Sequence, residues 1–243
     1  MAKSAINGRI KAQKLQVKGI SLRKDAESVL QAYQNMKSYR IQENLLMYLL
    51  KEYPDHRVKD AVEVKVKLLN LFYSTGIQAT NAMAANIVNI KNIDTRLSEG
   101  DISLINEIAT LKLKDITRYN YSFATKYCAY HQPKLYPIYD SIVADTLVSF
   151  FEKGLLPKYE LTPRKSKKPN TFTKGEFAQN LKQYNFFVEI YRYFMEQFDL
   201  QNFTYRQVDS YIWGAFKVGG EDFEIEKMAQ LNKKTIIEYM ISD

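Results

Sequence analysis

Three side chains that could do chemistry lie close together in one tyrosine-rich stretch of the sequence. Lys126 offers an amine, His131 an imidazole and Asp140 a carboxylate, all within a span of fifteen residues. A carboxylate can stabilise a developing cation or align a water molecule, and a histidine or a lysine can transfer a proton. These residues therefore define the first candidate site of the chain.

Asp140 has a structural interpretation as well as a functional one. It precedes the apolar run SIVADTLVSFF, so we expect it to be the N-cap of a helix. Its carboxylate would then accept a hydrogen bond from a free N–H group of the first turn, which is worth about 1 kcal/mol. The functional interpretation adds a catalytic carboxylate at the end of an aromatic-lined loop, and the two roles are compatible.

The neighbouring residues also have structural interpretations. We expect Lys126 to be solvated or to extend its charged end to the surface, and Cys128 to be a small buried hydrophobe. A partly positive ring at His131 would favour the C-terminal dipole of its helix. The tyrosines of this stretch are expected in the core or at its rim. They are Tyr127, Tyr130, Tyr136 and Tyr139.

The elements that must position these residues are predicted to be helices. Apolar residues recur every three or four positions from Asp25 onward, which is typical of amphipathic helices. Helices are predicted at about 60–73, at 122–131 and after Asp140, with a loop at QPKLYP because two prolines cannot lie inside a helix. Residues 94–101 are predicted to form a loop, 102–111 a short helix, 114–122 a polar hairpin-like connection and 174–200 one long helix. With no convincing strand pair and short, unequal helices, the fold class is all-α, an orthogonally packed multi-helix protein.

Basic residues are concentrated in two segments of a chain whose net charge is +8. Residues 1–24 form a basic N-terminal arm that contains no acidic residue, and 157–174 form a basic loop. The basic side chains at the centre of that loop are Arg164, Lys165, Lys167 and Lys168. Both segments are either solvated surface or arms that contact the phosphates of a nucleic acid. Residues 25–243, which include the basic loop, are expected to form a single all-α domain. Two helical subdomains within it could enclose a cleft near 118–145.

Several classes of protein are disfavoured by composition. One cysteine excludes an internal disulfide, and no Cys/His cluster has the spacing of a zinc site, so we expect no metal and no cofactor. No apolar run reaches the ~18 residues of a membrane span, and the N-terminus lacks the apolar centre of a signal peptide. We therefore expect a cytoplasmic protein that does not bind membranes.

The segment YPIYDSIVADTL resembles the catalytic segment of helix-hairpin-helix DNA glycosylases, 8-oxoguanine DNA glycosylases among them. In that family a Pro-Val-Asp-Thr-His-Val type sequence follows the hairpin and its second helix, and it supplies the catalytic aspartate. Asp140 matches that aspartate, and Ile142, Val143 and Leu147 match the apolar positions behind it. The resemblance covers about residues 102–150 and implies the glycosylase fold, DNA binding and a catalytic role for Asp140. It also implies an alternative for the tyrosines of this stretch, in which one or two of them stack on an extruded base.

Departures from the family pattern change the activity that the resemblance implies. The hairpin position, 114–121, has no glycine. Bifunctional family members, which also cleave the DNA strand, carry a nucleophilic lysine roughly 18–19 residues before the aspartate. This chain has Tyr121 and Ser122 at those positions. Lys126 is expected to point elsewhere, and no Cys-rich run could hold an iron–sulfur cluster, nor is a haem expected. The implied activity is monofunctional hydrolysis of an N-glycosidic bond, in which Asp140 stabilises an oxocarbenium ion.

Two other functions remain open from the sequence. One is a non-catalytic helical module that binds nucleic acid or an acidic protein and has lost the glycosylase chemistry. The other is a nuclease that uses Asp140 with His131. Asp209, four residues before Trp213, is either a helix-start residue or a buried hydrogen-bonding residue. The candidate substrate- and DNA-binding residues are Arg118, Tyr119, Ser122, Lys126, His131, Tyr136, Tyr139, Arg164, Lys165, Lys167 and Lys168.

Overall fold

A computed structural model describes residues 8–12, 21–33, 37–156, 159–163 and 170–217. These residues form eleven helices and two small sheets, so the chain is mainly helical, as predicted. The helices are α1 (Arg23–Tyr33), α2 (Lys37–Glu52), α3 (Lys59–Tyr73), α4 (Thr80–Val88), α5 (Ile93–Glu99), α6 (Leu104–Ala109), α7 (Tyr121–His131), α8 (Ser141–Glu152), α9 (Lys174–Asn180), α10 (Tyr184–Gln197) and α11 (Tyr205–Lys217). The strands are β1 (Gly8–Ala12), β2 (Thr110–Lys112), β3 (Thr117–Tyr119), β4 (Tyr159–Pro163) and β5 (Asn170–Thr171).

A three-stranded antiparallel sheet corrects the prediction that the chain has no strand pair. Its order is β1-β4-β5, and β1 pairs with β4 from Gly8↔Pro163 to Ala12↔Tyr159. The predicted basic arm thus contains a strand, and the predicted basic loop contains two. Because the partners are about 150 residues apart in the sequence, local patterns could not reveal their pairing. The four basic residues at 164–168 lie outside the described residues.

The connection before α7 is a short β-hairpin. β2 pairs with β3 from Thr110↔Tyr119 to Lys112↔Thr117. The hairpin-like connection predicted for this segment is therefore present, although it begins inside the stretch predicted as a helix. Asn120, which directly follows it, donates its backbone N–H to the carbonyl of Ala109 at 2.8 Å and so fixes where α7 begins.

The helix α7 passes through the core of the described part of the chain. Nine of its eleven residues are buried, including Thr125 and Lys126. A helix buried on most of its circumference leaves no solvated face for polar side chains, which must then find partners inside the protein. This burial determines the chemistry of the candidate site.

Two helix boundaries differ from the prediction. The segment predicted as a loop contains α5, which ends at Gly100 in the left-handed region with φ 74°, where a glycine costs least. The predicted long helix is divided into α9 and α10 at 181–183. Buried Asn180 causes this break, since its side chain donates to the carbonyl of Glu176 at 2.7 Å and accepts from Gln183 Nε2 at 3.1 Å. Such side-chain bonds compete with the continuing helix.

Candidate functional site

A cleft of about 550 Å³ opens beside Asp140. Residues from α1, α2, α3, α7 and α11 line it, together with the start of α8. Its aromatic, charged and hydroxyl side chains include those of Tyr33, Phe72, Tyr73, Ser122, Lys126, Asp140, Arg206, Asp209 and Trp213. Six of the sixteen lining residues that the structure describes come from the predicted cleft region 118–145, so the sequence identified one wall of the site and missed the others.

Asp140 is the N-cap of α8 and a lining residue of the cleft. Its Oδ1 accepts from the backbone N–H of Val143 at 3.0 Å, which confirms the predicted cap. Its Oδ2 lies 3.4 Å from Nζ of Lys126, and the side chain is 21% exposed. One oxygen therefore serves the helix, while the carboxylate as a whole remains accessible from the cleft.

Lys126 corrects one prediction, since it is buried and neither solvated nor extended to the surface. Its side chain is 7% exposed, and its Nζ donates to Ser122 Oγ at 2.9 Å as well as to Asp140. Lys126 lies beside Asp140 because the residues that precede them, Thr125 and Tyr139, contact each other. Thr125 Oγ1 accepts from the backbone N–H of Tyr139 at 3.1 Å, and its one hydroxyl proton lies within reach of the carbonyls of Ser122 at 3.0 Å and Tyr139 at 3.2 Å. Hydrogen bonding between Thr125 and Tyr139 holds the proline-bounded loop against α7 and so places Asp140 beside Lys126.

The wall formed by α11 carries a buried charge cluster that the sequence did not reveal. Arg206 Nη1 lies 2.5 Å from Asp209 Oδ2, and Nη2 lies 3.0 Å from Glu43 Oε1. Nη2 also donates to Tyr130 Oη at 2.7 Å, and the guanidinium lies 4.9 Å from the centroid of that ring. Burial raises the pKa of the Asp209 carboxyl to about 6, against the opposing effect of Arg206. Asp209 is therefore the buried hydrogen-bonding residue of the two options that the sequence allowed.

Aromatic side chains form the apolar part of the cleft. Tyr33 and Trp213 meet edge to face, with ring centroids 5.9 Å apart and planes at 85°. Phe72 and Tyr73 add to the lining from α3. Trp213 is partly buried and packs against the hydrophobic core.

Several of the predicted tyrosines do not reach this cleft. Tyr136 is fully buried, and its hydroxyl lies 3.3 Å from the carbonyl oxygens of both Arg96 and Asp101, to one of which it donates. Tyr139 packs against Tyr121 and Phe187. Both occupy structural positions here, and neither ring is among the residues that line the cleft.

His131 lies in a separate cavity of about 360 Å³, together with Asp94. Its ring is 4.9 Å from that of His56, which is held by Asp94 at 2.6 Å and by the hydroxyl of Tyr127 at 2.8 Å. Burial, followed by the nearby charge of Lys65, lowers the pKa of His131 well below its usual value. The prediction of a partly positive, dipole-stabilising ring is thus wrong, and His131 and Asp140 do not share a site. Among the described residues, no three His, Cys, Asp or Glu side chains are grouped so as to hold a metal ion.

Arg118 and Tyr119 project from the β2–β3 hairpin. Both are exposed, and the Tyr119 hydroxyl donates to Asn106 Oδ1 at 2.5 Å. They are placed on the surface, as a DNA contact requires, without lining the cleft. Arg164, Lys165, Lys167 and Lys168 lie outside the described residues.

Comparisons with known proteins give a family but no activity. A family model described as the HI_0787_N N-terminal domain matches residues 25–135, a segment that includes Lys126 and stops before Asp140. A Haemophilus influenzae protein described as "Uncharacterized protein" is 34% identical over 167 residues, which cover 69% of this chain and 70% of the relative. No solved structure matches the chain. Within the described residues, no helix has the length and apolar character needed to cross a membrane. The identity and coverage show that the chain belongs to the family of this Haemophilus influenzae protein.

Proposed function

We propose that the protein is a DNA glycosylase that hydrolyses the N-glycosidic bond of a nucleotide extruded from duplex DNA, with Asp140 as a catalytic residue. The observation that carries this proposal is the position of Asp140 in an open cleft with aromatic walls. A carboxylate enclosed by the start of its helix would instead have favoured a non-catalytic module. This carboxylate caps its helix with one oxygen and is still 21% exposed.

The chemistry follows from the charge that develops during bond cleavage. As the C1′–N bond breaks, positive charge accumulates on the sugar as an oxocarbenium ion. A carboxylate fixed beside it stabilises that charge, and preorganised groups of this kind are typically worth a few kcal/mol. The helix cap and the contact with Lys126 fix the orientation of Asp140 before substrate binds.

The size and the walls of the cleft suit an extruded base. Ligand pockets usually enclose roughly 300–1,000 Å³, and this cleft encloses about 550 Å³. Enzymes that act on extruded bases hold them by stacking against aromatic rings, which Tyr33 and Trp213 provide at one side of the cleft. The net charge of +8 favours a polyanionic partner such as DNA.

A second candidate activity is cleavage of the abasic strand through Lys126. The amine lines the same cleft and lies 3.4 Å from Asp140, although the spacing in sequence is not that of the family nucleophile. A lysine amine in such a position can attack C1′ and form a Schiff base. Borohydride reduction would then trap a covalent complex with wild-type protein and none with Lys126→Arg.

The main test is base release from duplexes that carry a panel of damaged or modified bases. We expect wild-type protein to release at least one base, and Asp140→Asn to release the same base at least a hundredfold more slowly. If wild-type protein binds the duplexes and releases no base from any of them, the non-catalytic module is the better description.

A further inference from the structure

We propose that Asp209 is the general acid that donates a proton to the departing base, so that the cleft holds two carboxyl groups with different catalytic roles. This inference rests on the proposed glycosylase function and extends it by assigning the residue that activates the leaving group. Nothing in the sequence resemblance, which ends near residue 150, points to it.

The geometry of α11 places the proton donor beside the stacking surface. Asp209 and Trp213 are four residues apart on this helix, and both line the cleft. Residues at that spacing share one helix face. A base that stacks on Trp213 would therefore bring its ring edge to Asp209, in the same cleft as Asp140.

The count of charges in the cluster favours a proton on Asp209. Its carboxylate shares the single guanidinium of Arg206 with the carboxylate of Glu43, so the three side chains carry one negative charge in excess. Two carboxylates that share a site cannot both ionise freely when they are buried. The side chain of Asp209 is 8% exposed and that of Glu43 is 26% exposed. Asp209 is therefore the group on which protonation costs least.

The other charged groups around Asp209 act in the same environment. Burial is the largest influence and raises its pKa to about 6; Arg206 then lowers it, Asp140 raises it and Lys126 lowers it. The tyrosines of the cluster are neutral, since burial raises the pKa of both Tyr73 and Tyr130. A carboxyl group whose pKa is raised by burial in this way is suited to act as the acid.

The proposed step balances in atoms and charge. The C1′–N bond breaks with its electron pair on the base nitrogen, and the Asp209 carboxyl proton passes to the base. The Asp209 carboxylate that remains pairs with Arg206, and Asp140 stabilises the sugar cation. A water molecule then adds to C1′ and loses one proton to solvent, and Asp209 takes up a proton from solvent for the next turnover.

The test is the pH dependence of base release under single-turnover conditions, from pH 5 to 8. In wild-type protein we expect the rate to fall as pH rises above about 6, up to tenfold per pH unit, because the acid loses its proton. Asp209→Asn should be slower by about a hundredfold at pH 6, within the usual contribution of a general acid, and should show no such fall. The melting temperature of each protein at each pH separates lost catalysis from lost folding.

Glu43→Gln keeps Asp209 and removes the competing carboxylate. Arg206 then pairs with Asp209 alone, so the fall in rate should begin at lower pH than in wild type. A wild-type rate that stays level from pH 5 to 8, or an Asp209→Asn variant with wild-type rate and profile, overturns this inference while Asp140→Asn still tests the glycosylase function. If wild-type protein releases no base at all, the glycosylase function fails and this inference fails with it.

Discussion

Lys126 Nζ lies 3.4 Å from Asp140 Oδ2, although the two residues are fourteen positions apart and belong to different elements. The contact exists because Thr125, which precedes Lys126, is hydrogen-bonded to the backbone of Tyr139, which precedes Asp140. The pair brings an amine and a carboxylate together in the cleft with fixed orientation. It also means that a change at Asp140 affects a buried lysine as well as the cap of a helix.

Asp140→Asn should remove base release and lower stability slightly. Asparagine caps helices about as well as aspartate, so the cap is kept. Lys126 loses its charged partner while 7% exposed. Removing one member of a fully buried pair costs about 3–5 kcal/mol, and the partial exposure of Asp140 reduces that to about 1–2 kcal/mol. Calorimetric melting and base release measure the two effects separately.

The double variant Lys126→Met/Asp140→Asn is the matched control. It removes both charges, so its melting temperature should recover toward that of wild type while base release stays lost. Equal base release in Asp140→Asn and wild type would refute the catalytic role. A double variant no more stable than Asp140→Asn would show that the ion pair is not what the single change disturbs.

DNA binding should depend on salt through the basic segment that follows β4. Neutralising Arg164, Lys165, Lys167 and Lys168 together should flatten the dependence of log K on log salt by up to about four units, at about 0.9 per lost phosphate contact. Fluorescence anisotropy with duplex DNA at several salt concentrations measures this slope.

A matched control removes the same formal charge from exposed positions on helices and turns. These positions are Lys59, Lys91, Lys153 and Lys182. We expect this control to retain most of the wild-type slope. Equal flattening in both variants would assign the effect to net charge, and an unchanged slope in the first variant would remove the basic segment from the binding surface.

The sequence predicted those features that depend on neighbours along the chain. The helices α3, α7 and α8 follow from apolar periodicity, the loop before α8 from its two prolines, and the cap from Asp140. The sheet β1-β4-β5 and the cleft depend instead on residues that are distant in sequence. Arg206, for example, contacts Glu43, which lies 163 positions away. No local pattern carries that information.

Lys126 and His131 show why plausible structural interpretations also failed. The helical pattern predicts a solvated side chain for Lys126 and a partly positive ring at the helix C-terminus for His131. Because α7 passes through the core, the lysine finds Ser122 and Asp140 as partners, and the histidine at the end of the helix is a partly buried ring with an enclosed Nε2 and a lowered pKa. The unusual density of tyrosine on this helix was the available signal that both of its faces are buried.

Stability should fall as pH decreases from 7 to 5, in part because of His56, which is buried, and His131, which is partly buried. Burial lowers the pKa of His56 and of His131 below the usual value near 6.5. Below that pH the unfolded chain binds protons that the folded chain does not, so the free energy of unfolding falls. Each histidine contributes up to about 1.4 kcal/mol per pH unit in that window.

His131→Phe isolates one of these contributions. Nε2 of His131 is buried without a hydrogen-bond partner among the described residues, so phenylalanine should fit with little loss at pH 7. Chemical denaturation at pH 5, 6 and 7 should show a weaker loss of stability on acidification than in wild type. Taking the difference between the two proteins cancels Asp209, whose raised pKa acts in the opposite direction. The same pH dependence in both would mean that His131 is protonated in the folded protein.

Gly214→Ala should destabilise the contact between α11 and α1 that forms one side of the cleft. An added Cβ would lie 2.8 Å from Cγ1 of Val29, a stiff side chain that is 1% exposed. Alanine gains about 1 kcal/mol of helix propensity over glycine, whereas overpacking costs about 1–3 kcal/mol. We expect a net loss of about 1 kcal/mol, measured by denaturation, with a larger fractional loss of base release because Trp213 and Asp209 lie on the displaced helix. Gly175→Ala in α9, where nothing lies within 4 Å of the added carbon, is the matched control and should be neutral or stabilising.

A compensating change tests the contact between α11 and α1 directly. Adding Val29→Ala to Gly214→Ala makes room for the new methyl group, so the double variant should recover base release toward that of wild type. If Gly214→Ala is as stable and active as Gly175→Ala, then the two helices do not pack as closely as this contact requires.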